Sequence, residues 1–500
     1  VKILAFPSPS NARQYRLDQL GHYFGLQSQN NFYVSEGEMN ENDLSIADVV
    51  ILQQTTSPEK IKMAREVTRK NNSLLVAEVD DAFGVNPDNP FKERHERLDA
   101  KKWLEVLCGV ADVVTTTTDY LAGLIKRKLK ENNVKKDVVV LPNYLNMEDW
   151  HKPLLRNYSD EIRLLWAGSC SHRDDMKFIA PVIKRICEKY PQVKFIHCGD
   201  VKLIPLFKDI NSEYVDAVPY RTWPSKLHSF RADIAVAPLI DTEFNRCKSN
   251  LKYLEYGISG YAGVYSNIVY PETVQDGKTG LIAKNQDEFF EKISLLIENK
   301  ELREIIAAGA FFDVRENYDV KNHAMKWINT YWYHLSKIRK LKIDVGSGIQ
   351  PILGGDYVHL DISPRFGEIV VDVLNGIPVA DSSVTNLRCS AIVEHFYLHD
   401  LREKVLPEFY RILTDGGRLY IVVPDWQKIK ESDKWEMVQQ NLYGAYHKYI
   451  LPEHDLHKYC WDFKHLKKEL EKFGFKQIKK IKYTDRAHDP KFTLALEAFK

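Results

Sequence analysis

Short apolar runs alternate with helix-length amphipathic stretches along almost the whole chain, and this alternation constrains the fold more than any other feature. Strand-length runs separated by stretches of helical periodicity mark βα units wound around parallel sheets. The alternation falls into three series. The first reads as strands at VKILAF, ADVVILQ, SLLVAEVD, ADVVTTT and DVVVLPN. Helices lie between them, one over Ser57–Lys70 with a Ser-Pro start. This series ends near Asn143–Trp150. A second begins at IRLLWAG and runs through VKFIHCG, ADIAVAPL and YAGVYSN to about Leu281. Helices over Asp287–Asn299, Glu301–Arg315 and His323–Lys337 follow it. The last is rich in aromatics (Trp327, Tyr331, Trp332, Tyr333), a stripe expected to brace one unit against another. The third series starts at LKIDVGSG, after the basic stretch Lys337–Lys342, which is the expected linker. At 500 residues the chain exceeds a single core, because domains hold roughly 100–200 residues. The expected division is 1–150, 151–337 and 338–500, three Rossmann-like α/β units.

Composition excludes several classes. Seventy basic residues against sixty-nine acidic leave a net charge of +1, whereas a nucleic-acid binder carries a strongly basic domain. The seven cysteines are scattered, with no C-x-x-C pair, which argues against a zinc ribbon or redox dithiol and for a reducing cytoplasm. VKILAF, ended by Pro-Ser-Pro, reads as a strand and not a signal peptide. No apolar run approaches the ~18 residues of a membrane span. The basic stretch Lys126–Lys136 could touch anionic lipid from the periphery, although a solvated helix end accounts for it as well.

Two regions concentrate residues with chemical potential. In LKIDVGSG a strand enters a glycine turn, where backbone N–H groups can approach a polar ligand. Asp361 ends the next strand, fifteen residues after Gly346, and a carboxylate there can accept hydrogen bonds from ribose hydroxyls. In LLWAGSCSHRDDMKF a strand runs into Gly168-Ser169, a turn that suits a phosphate, with Arg173 adding charge. Lys248, Lys252 and Glu255 share one helix face further on, either gripping a nucleotide or forming an ordinary surface pair. Asp80, Asp81 and His95 of the first series fall at strand ends or adjoining loops.

The order of motifs in each region resembles a known family. GS.SHR.D followed by PL.D..FN..KS..KYLEYG.SG and V.DGKTGLIA resembles the group 1 retaining GT-B glycosyltransferases of bacterial polysaccharide clusters. By that resemblance Gly168, Ser169, Arg173, Lys248 and Glu255 bind a nucleotide-sugar donor. Arg173 and Lys248 would stabilise the leaving diphosphate, with the donor phosphate drawing the acceptor proton. Asp80, Asp81 and His95 would face a glycan or lipid-linked glycan acceptor. Cys247 stands where the family's first donor-site glutamate is expected, with Glu243 or Asp241 as substitutes. From Leu341 on, LKIDVGSG, YVHLDIS, VVDVLNGIP, Glu394-His395 and YRILTDGGRLYIVVPD resemble the class I S-adenosylmethionine-dependent methyltransferases. That resemblance puts Asp344, Gly346 and Gly348 by the cofactor's methionine, Asp361 at its ribose, and Asp372 with Val373 by its adenine. The base for O-methylation would be His395, Asp425, His454 or His457. No metal is expected in either half. The function implied is sugar transfer with retention coupled to methylation of a sugar hydroxyl. An unrelated methyl acceptor, or a non-catalytic binding role for one half, remains as an alternative.

Overall fold

The computed structural model describes every residue except 1, 9–11, 26–30, 86–88, 151–158, 349–355, 364–365, 368, 432–455 and 484–489. Three sheets carry the described residues. In the first, β1 (Lys2–Phe6), β2 (Asn31–Val34), β3 (Val49–Gln53), β4 (Leu74–Val79), β5 (Val113–Thr116) and β6 (Asp137–Val140) are all parallel, in the order β2-β1-β3-β4-β5-β6. The central strands β3 and β4 are buried at every residue, as helices on both faces require. The helix α1 (Pro58–Asn71) opens with the Ser57 hydroxyl accepting the Lys60 N–H and closes with Asn72 left-handed, matching the Ser-Pro start read from sequence.

The second sheet contains β7 (Ile162–Ala167), β8 (Val193–Gly199), β9 (Ser212–Asp216), β10 (Ile234–Ala237), β11 (Ala262–Ser266) and β12 (Leu281–Ala283). It is again parallel, in the order β12-β11-β10-β7-β8-β9. The third is mixed: β13 (Leu341–Val345), β14 (Tyr357–Asp361), β15 (Ile369–Val370), β16 (Val384–Ser390), β17 (Leu413–Pro424), β18 (Lys476–Lys480) and β19 (Thr493–Phe499). Its order is β15-β14-β13-β16-β17-β19-β18, with β19 antiparallel to both neighbours. The last strand in sequence, β19, inserts between β18 and β17. No described helix is long and apolar enough to cross a membrane. Of the basic stretch, Arg127 pairs with Glu243 and Lys128 with Glu131, so part of its charge is neutralised within the protein.

No loose linker separates the second and third series. The helix α2 (Met325–Ile338) is followed, after Arg339 and Lys340, directly by β13. Trp327, Ile328, Tyr331, Trp332 and Leu335 are buried in one apolar cluster that joins Ile3, Val49 and Val76 of the first sheet to Ile343, Leu360 and Ile369 of the third. The Trp327 ring also lies 5.4 Å from the Arg16 guanidinium, which is fully buried against Glu78 at 2.8 Å. Polar ties fix the helix end: Lys337 to Asp137 at 2.8 Å, Arg339 to Asp48 at 2.6 Å, and the Ala380 N–H to the Ser336 hydroxyl at 2.8 Å. The aromatic stripe therefore braces the first sheet against the third, while Tyr333 faces outward.

Trp327→Ala should cost about 3–5 kcal/mol, the usual effect of emptying a buried aromatic site, seen as an earlier urea midpoint. Tyr333→Ala should stay within about 0.5 kcal/mol of the parent. Equal effects of the two would contradict the bracing role.

Candidate functional site

The carboxyl ends of the first two sheets confront each other. Tyr15, in the helical segment following β1, donates its hydroxyl to Glu255 at 2.6 Å. Asn143, beyond β6, donates to the Ser249 hydroxyl at 2.9 Å, and Arg127 meets Glu243 at 2.8 Å. In doubly wound sheets this end is where ligands bind, because the loops and helix N-termini converge there.

On the second sheet's side, β7 ends in Gly168. A side chain on Gly199 (φ +120°) would place its Cβ 2.0 Å from the Gly168 carbonyl oxygen. Backbone meets backbone there, and only glycine fits. Next come Ser169, whose hydroxyl lies 2.7 Å from that of Ser171, and Arg173, which opens a helix and donates to Asp200 at 2.9 Å. Asp175 is buried and fully used. It accepts the Ile240 N–H and the Asn245 amide on one oxygen, and lies 2.9 Å from His172 Nδ1 on the other. Burial foremost, with Lys248 nearby, lowers the His172 pKa. The Lys248 ammonium lies 4.3 Å from the Phe244 ring centre and has no carboxylate partner among the described residues.

Glu255 is 2% exposed and lies on the helix Leu251–Ile258. It accepts from Tyr15, from the Trp223 indole at 2.9 Å and from Lys252 at 3.2 Å. The Lys252–Glu255 pair is thus no solvated surface pair. Tyr256, next on the helix, accepts the Ala167 N–H at 3.1 Å, tying this helix to the turn at Gly168. Gly168, Ser169, Lys248 and Glu255 are therefore gathered on one side of the cleft, with Arg173 held by Asp200. Tyr15, Trp223, His172 and Asp175 were not singled out from the sequence, because their partners are fixed by the fold and not by spacing.

Cys247 is fully buried in the apolar cluster of the first sheet, together with Phe244, Leu52, Ala82 and Phe83. Burial, with Asp81 and Glu243 nearby, pushes its thiol up to about 12. Neither expected substitute enters the cleft as an uncommitted carboxylate: Asp241 is held by Arg246 through two contacts, and Glu243 pairs with Arg127. Across from Cys247, Asp80 accepts from Gln53 at 3.2 Å, and Asp81 caps the Ala82 N–H at 2.9 Å. Burial, reinforced by Glu78 and Asp81, raises Asp80 to about 7. His95 sits on a short helix with a lowered pKa, from burial first, and its Nδ1 has no partner among the described residues.

In the third sheet the strand order reverses at β13, with β14 on one side and β16 on the other, which opens a crevice at its carboxyl end. Gly346 (φ +65°) and Gly348 (φ +53°) form the turn there, both in the left-handed region. Asp361 accepts the Gly348 and Ser363 N–H groups, each at 2.9 Å, and burial raises its pKa. Asp344 is enclosed and paired with Arg388, with His359 at 3.3 Å. Asp372 caps the Leu374 N–H at 3.0 Å, and Val373 belongs to the core. Asp425 is buried and caps Gln427 at 3.2 Å. His395 and His457 touch edge to face, 4.9 Å between centres. His454 lies outside the described residues.

Part of the chain is similar to known proteins. Residues 161–299, which carry all six strands of the second sheet, match the family model "Glycosyl transferases group 1". Trehalose synthases of Thermococcus litoralis and Pyrococcus furiosus are each 22% identical over 299 residues, covering 58% of this chain and 55% of theirs. The chain thus spans about half the length of the curated relatives it matches. Among solved structures, Anabaena HepE in complex with UDP-glucose is 12% identical with a TM-score of 0.49, covering 66% of this chain and 99% of its own. TarM is 17% identical with a TM-score of 0.45, covering 57% and 54%.

Two outcomes follow. Cys247→Glu would push a carboxylate into an apolar cluster beside Asp81 and should destabilise the chain by about 2–7 kcal/mol, measured by chemical denaturation. A variant of unchanged stability with tighter nucleotide binding would place position 247 in the donor site instead. A raised carboxyl pKa means that the folded state holds the proton more tightly, so its stabilising effect is present at low pH and fades as pH rises from 3.8 to about 7. Asp80→Asn should therefore gain stability relative to the parent between about pH 4 and pH 8; a constant difference would count against the burial of Asp80.

Proposed function

We propose that the chain is a bifunctional enzyme of glycan assembly. Its first two sheets act as a GT-B pair that transfers a sugar from a nucleotide-sugar donor with retention, and its third unit methylates a sugar hydroxyl with S-adenosylmethionine. The first activity is carried by the group 1 match over residues 161–299, which contains Lys248 without a carboxylate partner among the described residues beside the Gly168–Ser169 turn. An ammonium so placed, with no internal counter-ion, suits a diphosphate and its developing charge on departure. Arg173 would add a second cation, Glu255 would meet the nucleotide, and Asp80, Asp81 and His95 would line the acceptor side. The glycan acceptor, free or lipid-linked, would enter from the first sheet.

The second activity rests on the reversal of strand order at β13, two left-handed glycines at the carboxyl end of that strand, and Asp361 beside them. S-adenosylmethionine, when bound, supplies an electrophilic methyl group. The chain's own residues would offer backbone N–H groups of the Gly346–Gly348 turn to the polar end of the cofactor and the Asp361 carboxylate to its ribose. Asp344 would stiffen the strand end through Arg388 and His359, with Asp372 and Val373 beyond it at the adenine side. Asp425, His395 and His457 lie beyond the neighbouring strands, where a base for the acceptor hydroxyl is needed. A second reading makes the first half a non-catalytic glycan-binding module, favoured by the thiol at Cys247 in place of a carboxylate; turnover of a nucleotide sugar by the chain rules that reading out.

Ligand-induced stabilisation separates the halves. Lys248→Ala should lower sugar transfer about 100–1,000-fold and leave stabilisation by S-adenosylhomocysteine intact. Asp361→Ala should weaken cofactor binding by about tenfold or more and leave sugar transfer intact. Cofactor affinity unchanged in the second variant would refute the methyltransferase assignment.

A further inference from the structure

Glu394 is the most anomalous polar group among the described residues. It is 1% exposed, and neither carboxylate oxygen has a hydrogen-bond partner. A buried carboxylate with both oxygens unmet is expensive; either it holds a proton or something cationic meets it. Two imidazoles stand beside it. One ligand atom each from Glu394, His395 and His457 lies within 4.8 Å of the others. His395 Nδ1 is 3.2 Å from the Leu456 carbonyl, a contact in which the nitrogen must donate. In the neutral ring this puts the lone pair on Nε2, the arrangement found in metal-ligating histidines. The segment carrying His457 is pinned to the strand-end loop by the Lys458 and Tyr459 N–H groups, which donate to the Glu394 carbonyl at 2.8 and 3.2 Å. The histidine is thus delivered by backbone pairing and not by a wandering loop.

The spot lies next to the reversal of the third sheet. Ile392, two residues before Glu394, packs so closely on Gly346 that an added Cβ would sit 2.7 Å from its side chain. From the sequence no metal is expected in this unit. His395 and His457 are sixty-two positions apart, and it is the fold that brings them together.

We propose that Glu394, His395 and His457 form a binding site for a divalent transition-metal ion of the zinc type, at the carboxyl end of β16 beside the cofactor crevice. Two imidazoles and one carboxylate are the donor set of three-ligand sites that keep a further position open, and borderline nitrogen donors disfavour magnesium and calcium. The open position would take an oxygen ligand. In the methyl-transfer reading, on which this clause alone rests, that ligand is the acceptor hydroxyl, whose acidity the ion raises. His395 and His457 would then be ligands, leaving Asp425 to take the proton.

The test uses the full chain, stripped with chelator and titrated with Co2+ while visible absorption is followed, with metal content measured after dialysis against Zn2+. One equivalent per chain is expected, with affinity at least about tenfold lower in His457→Ala and in Glu394→Gln. His457 is only partly buried, so its variant should keep the parent's thermal midpoint even if the other does not fold. Absence of a bound ion, binding unchanged in both variants (an ion held by cysteines elsewhere), or binding confined to Mg2+ or Ca2+ would overturn the site. An ion bound without stabilisation by S-adenosylhomocysteine would sink the methyltransferase reading and leave the metal site standing.

Discussion

One helix joins the first sheet to the third in a single apolar core. Met325–Ile338 closes the second series in sequence, yet its Trp327, Tyr331 and Leu335 fill a cluster running from β1 and β3 to β13 and β14. Apolar area removed from water on both sides of one helix couples two sheets that sequence alone would treat as separate domains. The same helix covers the buried Arg16–Glu78 pair with an indole. That pair reaches β4 and, through the Arg16 bond to Asn143 at 3.1 Å, the exit from β6. Breaking such a pair costs far more than it contributes, so the helix and the ion pair hold each other in place.

The cleft between the first two sheets is built on a different trade. The loop and short helix that carry Lys248 are anchored by Phe244 and Cys247 in the core of the opposite sheet, and Tyr15 reaches back to Glu255. Each half thus contributes a structural residue to the other's ligand side. A glutamate in place of Cys247 would have to displace that anchor. Asp175 serves the same end from below, since one carboxylate holds His172, Asn245 and the Ile240 amide together.

Much of this was legible in advance. The alternation of apolar runs located most of the strands, and Ser57 marked its helix, because both signals are local. Edge strands were lost: β2 and β9 are short and partly polar, and β15 is only two residues long, where propensity is weakest. β19 was not marked from sequence although it is almost wholly buried. Among site residues, glycines and strand-end carboxylates were visible from turn chemistry. The pairing of Tyr15 with Glu255, 240 positions away, was not, and neither was the meeting of His395 with His457. Contacts of that kind exist only once three sheets have been placed.

The direct passage from the bracing helix into β13 makes this junction behave like a keyed shaft. Surface loops absorb added residues at little cost, since closure entropy grows slowly with length. Here one residue inserted within the helix would rotate everything beyond it by about 100° relative to what precedes it. Trp327 could then face the first sheet, or Leu335 and Ser336 their present partners, but not both. The angular phase between the two halves is therefore written in the count of residues from Met325 to Leu341, and evolution can vary the surfaces of either half far more freely than that count.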